Sequence, residues 1–183
     1  KFNDVVVIIG AGPIGLLAGM IAQAYGAHAI LLDLVQERLD FAKELGIEYV
    51  INSGEEDAAA RVSEITGGMM AQQVMECSGS NAAIRSSLDL VSNAGRITLT
   101  GWPPRETSIP TDIITRKEID IRGARTSAGE FEEAIELIYT KKVDVAKILT
   151  KTISLDEAPE TIRDIEKNPG NYMKVVVKVD KTV

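Results

Sequence analysis

The stretch Asp4-Val-Val-Val-Ile-Ile9, followed at once by Gly10-Ala-Gly-Pro-Ile-Gly15, decides how this chain of 183 residues is read. Five consecutive β-branched residues without polar alternation fit a strand buried on both faces, as in a parallel sheet. Gly10 to Gly15 breaks the run, and a helix is expected over Pro13 to Tyr25, closed by Gly26. Proline just inside the start and glycine just past the end is the usual helix asymmetry. The break has the spacing G-x-G-x-x-G between a predicted strand and a predicted helix. Gly10 permits the tight turn, Gly12 lets a pyrophosphate approach the backbone, and Gly15 lets helix and strand pack closely. The free N–H groups and dipole at the helix start favour an anion.

A second buried strand, Ala29 to Asp33, follows. Asp33 lies 18 residues after Gly15 and 21 after Gly12. A carboxylate there accepts hydrogen bonds from the adenosine ribose hydroxyls and repels a 2′-phosphate, which favours NAD over NADP. Arg38, five residues on, is readable as a contact to the adenosine side or as a solvated helix arginine.

The alternation continues outward. Helices are expected over 36–45, 55–66, 82–91 and 130–140, and strands over 49–52, 73–77, 95–100 and 119–122. Gly101 to Pro110 reads as a loop. The fold class this predicts is α/β, a doubly wound parallel six-stranded sheet with helices on both faces. After Lys141 the rhythm changes: Ile148 to Ser154 reads as extended, Asp156 to Lys167 as helical and Lys174 to Val179 as strand. The expected division is 1–147 as a nucleotide-binding domain and 148–183 as a tail segment of another domain.

Composition narrows the function. Apolar residues make up 45% and charged residues 26%, enough apolar material for one sizeable core. No apolar run reaches the ~18 residues of a membrane span, and no basic segment precedes an apolar one as in a signal peptide, so no membrane partner is expected. Twenty Lys and Arg against 27 Asp and Glu give a net charge of −7, which argues against a nucleic-acid partner. The single cysteine, Cys77, forbids an internal disulfide and fits a reducing cytoplasm. One cysteine and one histidine, His28, cannot furnish the usual zinc site. A lone histidine without a partner acid in view reads as non-catalytic. Leu16 stands where a P-loop requires lysine, and no Tyr-x-x-x-Lys pair of the short-chain dehydrogenase kind occurs.

The ordered set Gly10 to Leu16, Asp33 with Arg38-Leu39, Ala42 to Gly46, Glu76-Cys-Ser-Gly79, Gly95-Arg-Ile97, Arg116-Lys-Glu118 and Ile121-Arg-Gly123 resembles the cofactor-binding half of the medium-chain, zinc-type alcohol and polyol dehydrogenases. Sorbitol, L-iditol and threonine dehydrogenases are the relatives it resembles most. The resemblance covers nearly the whole chain. It implies a Rossmann domain that binds NAD, with zinc held by an absent N-terminal catalytic domain of the full-length parent. It also implies that the tail returns to that catalytic domain, and that this stretch alone is inactive. The implied reaction transfers hydride from a secondary alcohol or polyol to NAD.

The resemblance further implies a cofactor-binding set: Gly10, Gly12, Pro13, Ile14, Gly15, Asp33 and Arg38; Cys77 and Ser78 on the adenosine side; Thr100, Gly101 and Trp102 beside the nicotinamide ribose; and Ala124 and Arg125 near nicotinamide and substrate. Cys77 is equally readable as a small buried hydrophobe, Trp102 as loop packing and Arg125 as a surface arginine. No catalytic or metal residue is assigned. The sixth strand, Ile119 to Arg122, should form a sheet edge, and a homo-oligomer built on it is expected. Two other functions are the alternatives: an S-adenosylmethionine-dependent methyltransferase, whose fold also has a glycine loop after strand one and an acid after strand two but against which the dinucleotide spacing G-x-G-x-x-G stands, and a non-catalytic NAD-binding module.

Overall fold

The computed structural model describes residues 1–127 and 129–179. The chain divides into two compact units, Lys1–Val143 and Asp144–Val183.

In the first unit the strands are β1 (Val5–Ile9), β2 (His28–Asp33), β3 (Tyr49–Asn52), β4 (Ala71–Glu76), β5 (Val91–Leu99) and β6 (Asp120–Gly123). They form one sheet in the order β3-β2-β1-β4-β5-β6. Every pairing is parallel. The order reverses between β1 and β4, the switch point at whose strand ends doubly wound folds bind ligands.

The helices are α1 (Pro13–Ala24), α2 (Gln36–Glu44), α3 (Ala58–Ile65), α4 (Asn81–Leu90), α5 (Thr111–Lys117) and α6 (Phe131–Tyr139). Successive residues of β1 point to opposite faces, and both faces are covered, which explains the unbroken apolar run. Val7 and Ile9 join a buried cluster with Ile30, Leu32, Val74 and Ile97, packed by residues of α3, α4 and α5. Ile8 points the other way, toward Gly19 of α1.

Three local details depart from the sequence reading. The third helix starts at Ala58 rather than Glu55, because the Asp57 carboxylate caps it by accepting from Ala59 and Ala60 N–H at 3.0 and 3.1 Å. Strand β5 starts directly at the end of α4, at Val91. Helix α5 occupies a stretch for which the reading gives no element. Asp112 in its first turn and Arg116 and Lys117 in its last complement the helix dipole. Ile113 and Ile114 pack it on the core. The Lys117 ammonium donates to Leu88 and Val91 carbonyls at 2.8 and 2.9 Å, closing the end of α4. Burial holds its pKa below the usual lysine value.

The second unit holds β7 (Leu149–Ser154), α7 (Ala158–Lys167) and β8 (Lys174–Lys178). Its two strands pair with each other, in parallel, across α7. Residues 180–183 of the expected tail lie outside the described residues.

Candidate cofactor site

In a parallel sheet every strand ends on the same edge, so the loops after β2, β1, β4, β5 and β6 lie side by side in that order. All of the expected site residues except Arg38, which lies in α2, fall in these loops, at the strand ends or on the first residues of α1.

The glycine loop is built as its spacing implies. Gly10 has φ +107°, open to glycine and strained for other residues. A Cβ on Gly15 would lie 1.8 Å from the Gly10 carbonyl oxygen, so the helix approaches the turn more closely than any side chain permits. A Cβ on Gly12 would meet nothing within 4 Å, so that face of the loop is open to a ligand. Gly12 is the N-cap of α1 and offers no side chain, Pro13 occupies the first turn, and no acidic residue lies there. The first-turn N–H groups of α1 are therefore uncapped by any side chain. Ile14 is 59% exposed beside them. Helix α3 is closed by Asp57, whereas α2, α4, α5 and α6 also lack a side-chain cap; what marks α1 as a place for an anion is the open backbone face at Gly12 beside its first turn.

Asp33 is tied to this loop. Its Oδ2 accepts from Ala11 N–H at 2.6 Å, and its Oδ1 accepts from Leu34 and Val35 N–H at 2.8 and 3.0 Å. A carboxylate has about four lone-pair positions, so capacity for a further donor remains on Oδ2. Asp33 thus fixes the glycine loop to β2 and still faces a cleft of about 640 Å³. Of the expected residues, Gly10, Asp33, Arg38 and Ser78 line this cleft. Leu34, Ser53, Glu56, Asp57 and Asp89 line it too and are absent from the sequence-derived set. They come from the loops before α2 and α3 and from α4, and no motif in the sequence links them. Arg38 is the one basic residue among the lining residues and forms no ion pair among the described residues.

Cys77 does not line the cleft. Burial, the dominant cause, pushes its thiol pKa above the ordinary value. Only the thiolate is nucleophilic. Alkylation of Cys77 by iodoacetamide at mildly alkaline pH is therefore expected to run slower than for a free thiol, and to reach the free-thiol rate after denaturation. Mass-spectrometric time courses in the native and unfolded states check this, and a native rate equal to the free thiol contradicts the burial argument.

Thr100, Gly101, Trp102, Ala124 and Arg125 form a second group, after β5 and β6. Ala124 N–H donates to Leu99 carbonyl at 2.9 Å. The Arg125 guanidinium lies 4.6 Å from the Trp102 ring centroid, a cation–π stack. Trp102 is 75% exposed, so the pair stands at the surface and not in a packed loop. His28 begins β2, at the opposite edge of the sheet from the glycine loop. The sequence reading gives it no partner acid; the fold supplies one, Glu48, 2.9 Å from Nδ1, in an exposed pair.

Residues 13–140 match the zinc-binding dehydrogenase family, and the chain belongs to that family. It is 50% identical, over 96% of its length, to an uncharacterised zinc-type alcohol dehydrogenase-like protein of Haemophilus influenzae, of which it covers 51%. It is 35% identical to a sorbitol dehydrogenase of Halalkalibacterium halodurans, over 96% of this chain and 52% of that protein. Among solved structures, an Escherichia coli alcohol dehydrogenase complexed with NADH superposes with a TM-score of 0.88 at 26% identity, over 97% of this chain and 52% of that one. A zinc-binding dehydrogenase of Sinorhizobium meliloti bound to NADP does so with a TM-score of 0.88 at 25% identity, over 98% and 53%. The chain thus spans about half the length of the relatives it matches.

The zinc of the family's name does not fit the residues present. His28 and Cys77 stand at opposite edges of the sheet. Among the described residues no three His, Cys, Asp or Glu side chains could share a metal ion.

Proposed function

We propose that this chain is the NAD-binding part of an oxidoreductase that moves hydride from a secondary alcohol or polyol to NAD. The observation that carries the reading is the coupling of an uncapped α1 N-terminus, open at Gly12, to a carboxylate, Asp33, hydrogen-bonded to the same loop. That pairing suits a ligand with a pyrophosphate at one point and a ribose diol at the next. An S-adenosylmethionine ligand has no pyrophosphate to use the open helix start, and the sixth strand runs parallel to the fifth rather than ending the sheet in an antiparallel hairpin.

When bound, NAD supplies the hydride acceptor at its nicotinamide ring. The chain's residues bind and orient it. The α1 N–H groups hold the pyrophosphate, and Asp33 accepts from the ribose hydroxyls. Thr100, Trp102, Ala124 and Arg125 flank the nicotinamide half. Asp33, Glu56, Asp57 and Asp89 line the cleft with Arg38, so it carries more negative than positive charge. A 2′-phosphate is disfavoured there, and NAD is preferred to NADP. Zinc, and most of the substrate pocket, belong in this reading to the part of the parent enzyme outside these residues, with the tail from 148 onward packed on that part. The stretch alone is expected to be inactive. Calorimetric titration with NAD and NADP tests the proposal; equal or tighter NADP binding contradicts the role given to Asp33.

The same reading includes a cytoplasmic location and a homo-oligomer formed through β6. Strand β6 pairs with β5 on one side only, which leaves a row of backbone donors and acceptors on the other. Asp120 bridges Arg96 at 2.8 Å and Arg122 at 3.0 Å, and the Arg96 hydrogen bond holds its carboxyl below the usual range. The charges on the strand are thus paired within the protomer and leave its edge free for a second copy by two-fold symmetry. Sedimentation at micromolar concentration is expected to show a dimer that Ile121→Pro converts to monomer. A monomeric wild type, or an unaffected proline variant, contradicts the interface.

A further inference from the structure

Glu76 is the last residue of β4 and its carboxylate is fully buried, with no cation paired to it among the described residues. A buried carboxylate without a cation is costly unless donors surround it. The donors here are backbone. Oε1 accepts from Ser78 N–H at 2.8 Å and Gly79 N–H at 3.0 Å, and from the Ser78 hydroxyl. That hydroxyl in turn accepts from Ser80 N–H at 3.1 Å. Three successive N–H groups before α4 therefore converge on one internal anion, directly or through Ser78. The backbone carbonyl of the same residue holds the neighbouring loop. It accepts from Thr100 N–H at 2.9 Å, the Thr100 hydroxyl at 2.8 Å and Gly101 N–H at 3.1 Å.

The two loops touch backbone to backbone over this residue. A Cβ on Gly101 would lie 2.1 Å from Gly79 N and 2.6 Å from Glu76 Oε2, and one on Gly79 would lie 2.8 Å from the Trp102 carbonyl oxygen. One loop ends in the cleft at Ser78, and the other carries the exposed Trp102 against Arg125.

We infer that Glu76 is a positioning residue for the cofactor: it locks the loop after β4 to the loop after β5, so that the two halves of the proposed NAD site keep a fixed spacing. The inference rests on the NAD reading above. It also assigns the anion sites at the strand ends. The N–H groups before α4 are occupied from within by Glu76, and those of α1 are left to the cofactor.

Trp102 is the only tryptophan of the chain, so its near-ultraviolet circular dichroism reports this loop alone. Glu76→Gln keeps the volume and the acceptor oxygen at the Oε1 position but removes the charge and turns an amide N–H₂ toward Gly79 N–H, from which Oε2 now accepts at 3.2 Å. It is expected to keep the far-ultraviolet spectrum of the wild type, to weaken NADH binding roughly tenfold, the range of one charge-assisted hydrogen bond, and to flatten the Trp102 band. Glu76→Asp, which keeps the charge but pulls it back by one methylene, is expected to fall between. If Glu76→Gln does not fold, Ser78→Ala and Gly101→Ala carry the test, the first removing the hydroxyl bridge and the second prising the loops apart. Both are expected to weaken NADH binding and the Trp102 band together. Wild-type affinity with a wild-type Trp102 band in the folded variants overturns the inference. A wild-type chain that binds no NADH overturns the NAD reading instead, while the Trp102 band of the variants still decides whether Glu76 holds the loops.

Discussion

Gly15→Ala is expected to abolish measurable NAD binding and to destabilise the fold by about 3 kcal/mol or more, beyond the usual cost of overpacking. The added Cβ would lie 1.8 Å from the Gly10 carbonyl oxygen and 3.3 Å from an Ile8 methyl. The first contact is with backbone, so no rotamer change relieves it. Either α1 moves away from β1, or the turn at Gly10 opens. Both displace the α1 N–H groups from the place where a pyrophosphate would sit, and both loosen the central strand of the sheet. Thermal unfolding and an NADH titration of the same sample separate the two effects. The matched control is Gly12→Ala, where a Cβ meets nothing within 4 Å. It is expected to leave stability within about 1 kcal/mol of wild type while blocking the approach of the pyrophosphate. A Gly15→Ala protein that melts and binds as the wild type contradicts the close packing described here.

Asp33→Asn is expected to weaken NAD binding by roughly ten- to a hundredfold, the range of hydrogen bonds to a charged group, and to narrow the gap to NADP. The substitution keeps the size of the side chain. Its remaining oxygen still accepts from Leu34 and Val35 N–H, as Oδ1 does now. The amide nitrogen that replaces Oδ2 cannot accept from Ala11 N–H, nor from a ribose hydroxyl. One substitution therefore removes a ligand contact and the tie between β2 and the glycine loop. The two losses have different signatures. The tie lowers stability with no ligand present, and the contact shows only in the ratio of NAD to NADP affinity. An unchanged ratio contradicts the ribose role even if stability falls.

The sheet was legible because the physics that builds it is local. The runs Val5 to Ile9 and Ala29 to Asp33 are continuous because helices cover both faces, and each is punctuated by glycine or a helix start. Helix α5 was missed for the opposite reason. It is seven residues long, and its attachment to the core, through Ile113, Ile114 and the Lys117 ammonium, is tertiary. The glycine loop and Asp33 were legible because a turn and a strand end have fixed spacing along the chain. Leu34, Ser53, Glu56, Asp57 and Asp89 were not, since only the folded sheet brings α2, α3 and α4 around one cleft. Glu76 lay in view within the run Glu76 to Gly79, but a glutamate at a strand end signals nothing by itself. Its importance comes from the burial of its carboxylate under two loops separated by more than twenty residues of chain. His28 shows the same limit: its partner, Glu48, is adjacent only across the sheet edge.

The central claim is that a dinucleotide lies across the ends of β2, β1, β4 and β5, with its pyrophosphate at the start of α1. An amide-resolved NMR titration of the chain with NAD tests it most directly. Saturable shifts are expected at the amides of Gly10 to Gly12, Ile14 and Gly15, Leu34 and Val35, Ser78 to Ser80 and Thr100 to Trp102, with Asp33→Asn weakening all of them together. Shifts confined to the opposite edge of the sheet, around His28, Gly46 and Gly68, or no saturable shift at the glycine loop, would contradict it.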